Sequence, residues 1–252
     1  MFTSIYSYTN HLIRGASHLL FPKACWFCGT AQPPEGRAFC DECHIALITE
    51  SDKVCPWCAM SIGPFVNVDK GCTWCRPRKL AFSGAVRLGT YDGIRKTIVL
   101  RMKHKTGEAL AEVVGRIWAK ESSRRLREWE PEIVVPIPLH WRRRLRRGYN
   151  QAETLARAIA QGLGVVCWSR CLRRDRNTPR QTTRNTPLDR LMNMKNAFEH
   201  RSSHLVKGRR IVLVDDVMTT GATMNEAATT LKDAGAERVI VAVLTRATRD
   251  SS

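Results

Sequence analysis

Residues 211–223, IVLVDDVMTTGAT, place two adjacent carboxylates, Asp215 and Asp216, directly ahead of a run of small hydroxyl and glycine residues. Small residues let backbone N–H groups approach an anion, threonine hydroxyls add donors, and a helix starting there adds partial positive charge. The stretch Thr219, Thr220, Gly221, Ala222, Thr223 therefore suits a phosphate. Asp215 and Asp216 would repel that phosphate if they faced it. As acceptors they suit the hydroxyls of a sugar, with a divalent cation offsetting the remaining charge. A ribose 5-phosphate unit satisfies both ends of the stretch at once. An ordinary turn with an aspartate cap needs neither the second acid nor three threonines.

Cysteine spacing points to a second kind of chemistry. Eight of the ten cysteines form four C-x2-C pairs, Cys25/Cys28, Cys40/Cys43, Cys55/Cys58 and Cys72/Cys75, separated by 11, 11 and 13 residues. Two intervening residues let both thiolates of a pair, with nearby amides, wrap one ion, so the pattern predicts two structural zinc ions. Pairs one and two can share an ion, as can three and four; an interleaved sharing fits the spacing equally. Redox-active C-x2-C is the competing reading, but no thioredoxin-like strand–helix context accompanies these pairs. Disulfide frameworks seldom repeat a two-residue spacing so regularly, which places the chain in a reducing cytoplasm. Trp26, Trp57 and Trp74 each lie inside a pair, where they cover a small metal core or stack on bases. Cys167 and Cys171, in VVCWSRC, read as core and surface residues rather than ligands.

These residues need a frame. Strands are expected in AFSGAVRLGTY, EIVVPIPL, VVCWSRCL, RIVLVDD and ERVIVAVLTRA, and helices in GIRKTIVLRMKHK, GEALAEVVGRIWAKESSRRL, NQAETLARAIAQGLG and GATMNEAATTLKDAG. Alternation at these lengths predicts an α/β fold, a doubly wound, mostly parallel sheet. Ligands of such sheets sit at the carboxyl ends of the strands, where DDVMTTGAT falls. The polar stretch RNTPRQTTRNTPLDR is too irregular for a core element. Three regions are expected: an N-terminal amphipathic segment over 1–22, a zinc-binding module resembling a double zinc ribbon over 23–80, and the α/β domain over 81–252.

At 252 residues the chain can bury a full α/β core and carry a smaller module. Its apolar runs are strand-length, so no membrane insertion is expected, and the N-terminus lacks the continuous apolar block of a secretory signal. Lys and Arg number 41 against 23 Asp and Glu, a formal charge of +18, which implies polyanionic company. Zinc held by four thiolates is a dianionic unit, so two such sites would lower the charge to about +14.

The stretch IVLVDDVMTTGAT resembles the phosphoribosyl pyrophosphate (PRPP) signature of type I phosphoribosyltransferases. Four C-x2-C pairs followed by LRMKHKTGEALA, VVPIPLHWRRRLRRGYNQAETLA, RNTPRQTTRNTPLDRLMNMKNAF and that signature are similar to the ComF/GntX family of competence and DNA-utilisation proteins. The likeness runs from Lys23 to about Arg246. It implies a phosphoribosyltransferase-type sheet that binds PRPP, or a related ribose phosphate, together with Mg²⁺. By the resemblance Asp215 and Asp216 hold the ribose 2′ and 3′ hydroxyls, and Thr219, Thr220, Gly221, Ala222 and Thr223 the 5′-phosphate. The turn at Pro138, Leu139 and His140 takes the pyrophosphate, with Lys103 and Arg147 as partners for its charge. Purine-salvage enzymes carry an aspartate base where this chain has Thr219, which disfavours purine salvage; the Thr-Thr-Gly form looks more like orotate or amide-transfer relatives. No catalytic residue is assigned.

HWRRRLRRGYNQ holds five arginines between Trp141 and Gly148. It reads as a flexible loop that closes over pyrophosphate. A second reading, compatible with the first, is a contact for single-stranded DNA through Arg142, Arg143 and Arg144, with Trp141 or Tyr149 available to stack. The expected function is therefore uptake or processing of single-stranded DNA in natural transformation, with PRPP binding retained. An active phosphoribosyltransferase acting on an unknown base or amine is the alternative, and a redox or zinc-storage module a weaker third.

Overall fold

The computed structural model describes residues 24–29, 33, 36–174, 197–200 and 203–247. Helix α1 (Asp41–Ile48) and short strands β1 (Lys53–Val54) and β2 (Ser61–Ile62) precede β3 (Ala85–Thr90), α2 (Gly93–Met102) and α3 (Glu108–Arg127). Next come β4 (Ile133–Pro136), α4 (Trp141–Arg147), α5 (Gln151–Leu163), β5 (Val166–Cys167) and β6 (Leu172–Arg174). After them lie β7 (Phe198–His200), α6 (Ser203–Val206), β8 (Arg210–Met218), α7 (Ala222–Asp233) and β9 (Arg238–Arg246). The parallel sheet has the order β3-β9-β8-β4-β5.

Continuous apolar runs form its central strands because both faces are covered. Ile133, Val135, Ile211, Leu213, Val239 and Val241 share one core with Met224, Ala227, Ala228 and Leu231 of α7. Helix α5 packs on β8 and β4, and α3 packs on α5 and β3. In α3 the buried positions Leu110, Val114, Trp118, Ser122 and Leu126 recur every four residues, which is what puts one stripe against its neighbours. Helix α5 opens at Asn150, whose side chain accepts from Ala152 N at 3.2 Å, and stops at Gly164, a left-handed glycine with φ 76°.

Packing divides the chain into two compact units, Met1–Leu47 and Ile48–Ser252. The third and fourth C-x2-C pairs thus fold within the larger unit, together with the sheet. Ala85 N donates to Pro56 O at 2.9 Å, and the buried Arg87 of β3 donates to Ala59 O at 2.9 Å and to Glu50 at 2.9 Å.

Three expectations change. VVCWSRCL is not one strand: Trp168 N still reaches Val134 O at 2.8 Å, but the chain then turns, and Leu172 pairs with His200 in a separate antiparallel ladder. The arginine run is not a loop but helix α4, capped by His140 and ended by Gly148 at φ 89°. Strand β8 runs to Met218, beyond the aspartates, because β9 keeps pairing with it as far as Arg246. The expected segments 1–22 and RNTPRQTTRNTPLDR lie outside the described residues.

Candidate functional site

The adjacent acids part company at the end of β8. Successive side chains of a strand point to opposite faces, so Asp215 shares the face of Leu213 while Asp216 shares that of Val214. Asp216 is buried, and its Oδ2 accepts from Lys103 Nζ at 3.2 Å and from Gln151 Nε2, at the start of α5, at 3.3 Å. Asp215 Oδ1 accepts from the Asp216 backbone N–H at 2.8 Å. Burial raises the pKa of Asp215 well above the usual carboxylate range, and the neighbouring Asp216 charge adds to the effect. Burial opposes ionisation of Asp216 as well, but the Lys103 charge and the hydrogen bonds from Asp215 and Lys103 hold it below that range. Asp216 is the ionised member of the pair.

Both acids line a cavity of about 410 Å³ with Lys103, Pro138, Leu139, Arg143, Arg146, Arg147, Arg174 and Thr223 among its walls. The cavity is strongly basic, with five cationic side chains against two carboxylates. Burial, and after it the Arg143 charge, depress the pKa of Arg174, while Asp215 opposes the shift. A neighbouring basic cavity of about 470 Å³ continues along Lys103, His104, Lys105 and Arg147. Of the residues expected here, Asp215, Asp216, Thr223, Pro138, Leu139, Lys103 and Arg147 come together on one cavity. His140 is buried instead, its Nδ1 accepting from Arg142 N at 3.3 Å. Thr219, Thr220 and Gly221 form the turn between β8 and α7, where Thr220 Oγ1 accepts from Ala222 N at 3.4 Å. Gly221 occupies the left-handed region at φ 73°, which an L side chain rarely adopts.

Sequence reasoning missed Arg143 as a cavity residue, along with Arg146, Arg174 and Gln151. For Arg143 and Arg146 the missed signal is helical periodicity inside the arginine run. A helix turns about 100° per residue, so the run is divided between faces, with Arg143, Arg146 and Arg147 on one cavity. Arg143 lines the cavity of Asp215, whereas the exposed Arg144 pairs with Glu153 at 3.3 Å and lines a second cavity of about 480 Å³ with Trp141, Arg170 and Arg173. Arg142 lies 5.2 Å from the ring of Trp141, which is 57% exposed. Tyr149 is unavailable for stacking: it is buried, its hydroxyl donates to Met102 O, and burial pushes its pKa up to about 12.

The cysteines assemble sequentially. Cys25, Cys28, Cys40 and Cys43 form one quartet and Cys55, Cys58, Cys72 and Cys75 the other, each with its sulfurs within 4.8 Å of one another. Zinc–sulfur bonds of about 2.3 Å give a tetrahedron with edges of about 3.8 Å. Sulfur separations of 3.9 Å for Cys28–Cys40, 3.8 Å for Cys55–Cys75, 3.6 Å for Cys58–Cys72 and 3.7 Å for Cys72–Cys75 match that edge. Both quartets thus fit a tetrahedral thiolate metal site. Cys167 and Cys171 belong to neither. No described helix is long and apolar enough to cross a membrane.

Residues 106–251 match the model of the phosphoribosyl transferase domain family. The chain is 31% identical over 231 residues to DNA utilization protein YhgH of Salmonella typhimurium, covering 90% of this chain and 99% of that protein. It is 30% identical to competence protein F of Haemophilus influenzae, covering 76% of this chain and 85% of that one. Among solved structures, the glutamine PRPP amidotransferase of B. subtilis complexed with ADP and GMP superposes at a TM-score of 0.39 and 20% identity, over 57% of this chain and 30% of that one. A superposition so loose adds nothing to the family match.

Proposed function

Because the chain belongs to the phosphoribosyl transferase domain family, in its ComF branch of competence and DNA-utilization proteins, we propose that it binds PRPP or a related ribose phosphate and handles single-stranded DNA. One observation carries the ligand reading: a single cavity joins the acidic pair and Thr223 to Lys103, Arg143, Arg146 and Arg147. The carboxylates accept from ribose hydroxyls, the turn 219–223 donates to the 5′-phosphate, and the cations meet the pyrophosphate. Lys103 holds Asp216 ionised and oriented before a sugar arrives. The donor set suits an Mg²⁺ carried in on the pyrophosphate, since among the described residues two carboxylates line the cavity and one already pairs with Lys103. Such an ion supplies countercharge to the phosphates.

The DNA reading rests on Trp141 and Arg142, exposed on α4, beside a second cavity that bears Arg144, Arg170 and Arg173. A basic surface with an exposed aromatic suits backbone phosphates and a stacked base. Thiolates that must stay free for metal require a reducing compartment, the cytoplasm. Turnover is a second reading, favoured by the way the two cavities share Pro138, Leu139 and Arg174, which leaves room for an acceptor beside the sugar. The acceptor would then displace pyrophosphate from the ribose C1.

The test is thermal stabilisation by PRPP with Mg²⁺ in the wild type and in the Asp215→Asn/Asp216→Asn variant. The double change should weaken binding by at least about 2 kcal/mol, since it removes the charge-assisted acceptor Asp216 and alters its partner Asp215. Equal stabilisation of both proteins would exclude this site. Pyrophosphate release with a panel of bases and amines separates turnover from binding alone.

A further inference from the structure

Strand β9 ends in two buried polar residues that the ribose-phosphate reading does not use. Thr245 Oγ1 donates to Asp216 O at 3.2 Å. Arg246 is fully buried, and its guanidinium joins three segments. Nε donates to Cys58 O, inside the second cysteine quartet, at 3.2 Å. Nη1 donates to Met218 O at 2.9 Å and also to Thr219 O, the two carbonyls that open the signature turn. The guanidinium lies 4.6 Å from the ring centre of Trp74, which sits between Cys72 and Cys75. Trp74 reaches the same turn: a Cβ placed on Gly221 would meet its ring at 3.4 Å. Nη2 is buried and has no partner among the described residues. A buried guanidinium is costly unless its charge and donors are met. Arg246 is therefore held where it is by what it joins, and a metal bound by the four thiolates of the second quartet would make a dianionic unit able to supply countercharge.

We propose that Arg246 is a positioning residue for the ribose-phosphate turn, through which, with Trp74, metal in the second cysteine quartet sets affinity for the sugar phosphate. The proposal rests on the reading that the turn 219–223 binds ribose phosphate. It makes the quartet more than a staple, because the carbonyls that fix the turn and the carbonyl of a metal ligand share one side chain. Coupling of this kind is reciprocal: if the metal tightens ribose-phosphate binding, ribose phosphate must tighten metal binding by the same factor.

The experiment uses the full chain, with PRPP and Mg²⁺ as one probe and ribose 5-phosphate as another. Zinc release to a chromogenic chelator is followed with and without each probe, and probe affinity is measured by calorimetry. In the wild type, one of two zinc ions should leave at least about fivefold more slowly in the presence of a probe, within the usual range of allosteric coupling. Arg246→Lys keeps the charge but loses the fork. It should still bind zinc, lose the protection, and bind PRPP about tenfold more weakly. Trp74→Leu should lose part of both effects, and Arg238→Gln, at the far exposed end of β9, neither. Should Arg246→Lys fail to fold, the wild-type release rates decide alone. Protection of neither zinc ion by a probe that binds, or undiminished PRPP affinity in a folded Arg246→Lys protein, would overturn the coupling and leave the ligand reading standing. Absence of any PRPP or ribose 5-phosphate binding by the zinc-loaded wild type would overturn both.

Discussion

The two cysteine quartets have the same ligands and matching sulfur geometry, yet they are embedded differently. Cys25, Cys28, Cys40 and Cys43 fold within the small unit, where Cys28 is exposed and local bonds, Cys40 N to Cys25 Sγ at 3.4 Å and Trp26 N to Ala38 O at 2.9 Å, complete the knuckle. Cys55, Cys58, Cys72 and Cys75 are all buried within the larger unit, and the sheet reaches their loops through Arg87, Arg246 and Pro56. A metal site that closes on its own loop stabilises that loop. One whose carbonyls are also partners of buried arginines stabilises the sheet edge as well.

Mutation of each quartet gives the largest expected effect and the sharpest separation. Metal analysis should find about two zinc ions per chain, falling to about one in either mutant, as four-thiolate sites require. Structural zinc contributes on the order of 10 kcal/mol to the folding of the element it organises. Cys55→Ser/Cys58→Ser should therefore lower the main unfolding transition and abolish stabilisation by PRPP. Cys25→Ser/Cys28→Ser should leave both in place. Equal effects of the two pairs on the main transition would erase the distinction.

Next in size is the ion pair beside the acidic cluster. Lys103→Met leaves the buried Asp216 carboxylate without its cation and should destabilise the larger unit by about 3–5 kcal/mol in urea unfolding. Adding Asp216→Asn should restore much of that loss, because the uncompensated charge disappears.

Asp215 supplies a smaller effect of opposite sign. Its folded pKa is raised, so the folded state holds its proton to higher pH than the unfolded chain does. Stability from this group is complete below the unfolded value and is lost as pH rises toward the folded one. Asp215→Asn should therefore raise the urea midpoint at about pH 8 and change it little at about pH 4. The same variant should bind PRPP more weakly, the trade-off expected of a strained ligand site. A midpoint shift of equal size at both pH values would deny the buried acid its proton linkage.

The smallest effect concerns DNA. Arg142→Ala/Arg144→Ala should flatten the log–log salt dependence of oligonucleotide affinity by about 1.4, at about 0.7 per single-strand phosphate contact. Cys25→Ser/Cys28→Ser should leave the slope unchanged if the strand runs over α4. Flattening in the cysteine variant alone would move DNA to the small unit, with its exposed Trp26.

Much of this was legible because it is local. Apolar runs of strand length, the helical pattern of NQAETLARAIAQGLG, and the two-residue cysteine spacing each depend on neighbours within a few positions. The turn after the acidic pair was legible for the same reason: DDVMTTGAT carries its carboxylates and its small residues together. Arg143 and Arg146 were not, because the fate of an arginine run depends on which helix face meets the cavity, nor was Arg174, which reaches that cavity from β6.

The sequence by itself determined the alternation of the main strands and helices, the parallel sheet, the four C-x2-C pairs and the acidic pair that follows an apolar run. Periodicity and short-range stereochemistry are sufficient for each of these. Only the tertiary structure decided that pairs one and two share a quartet, that α4 divides its arginines between two cavities, and that Asp216 is ionised against Lys103. It alone brought Arg246 to Cys58, 188 positions away along the chain. Such pairings follow from strand order and burial, which bring distant segments into a low-dielectric interior where an unmet charge or donor is costly.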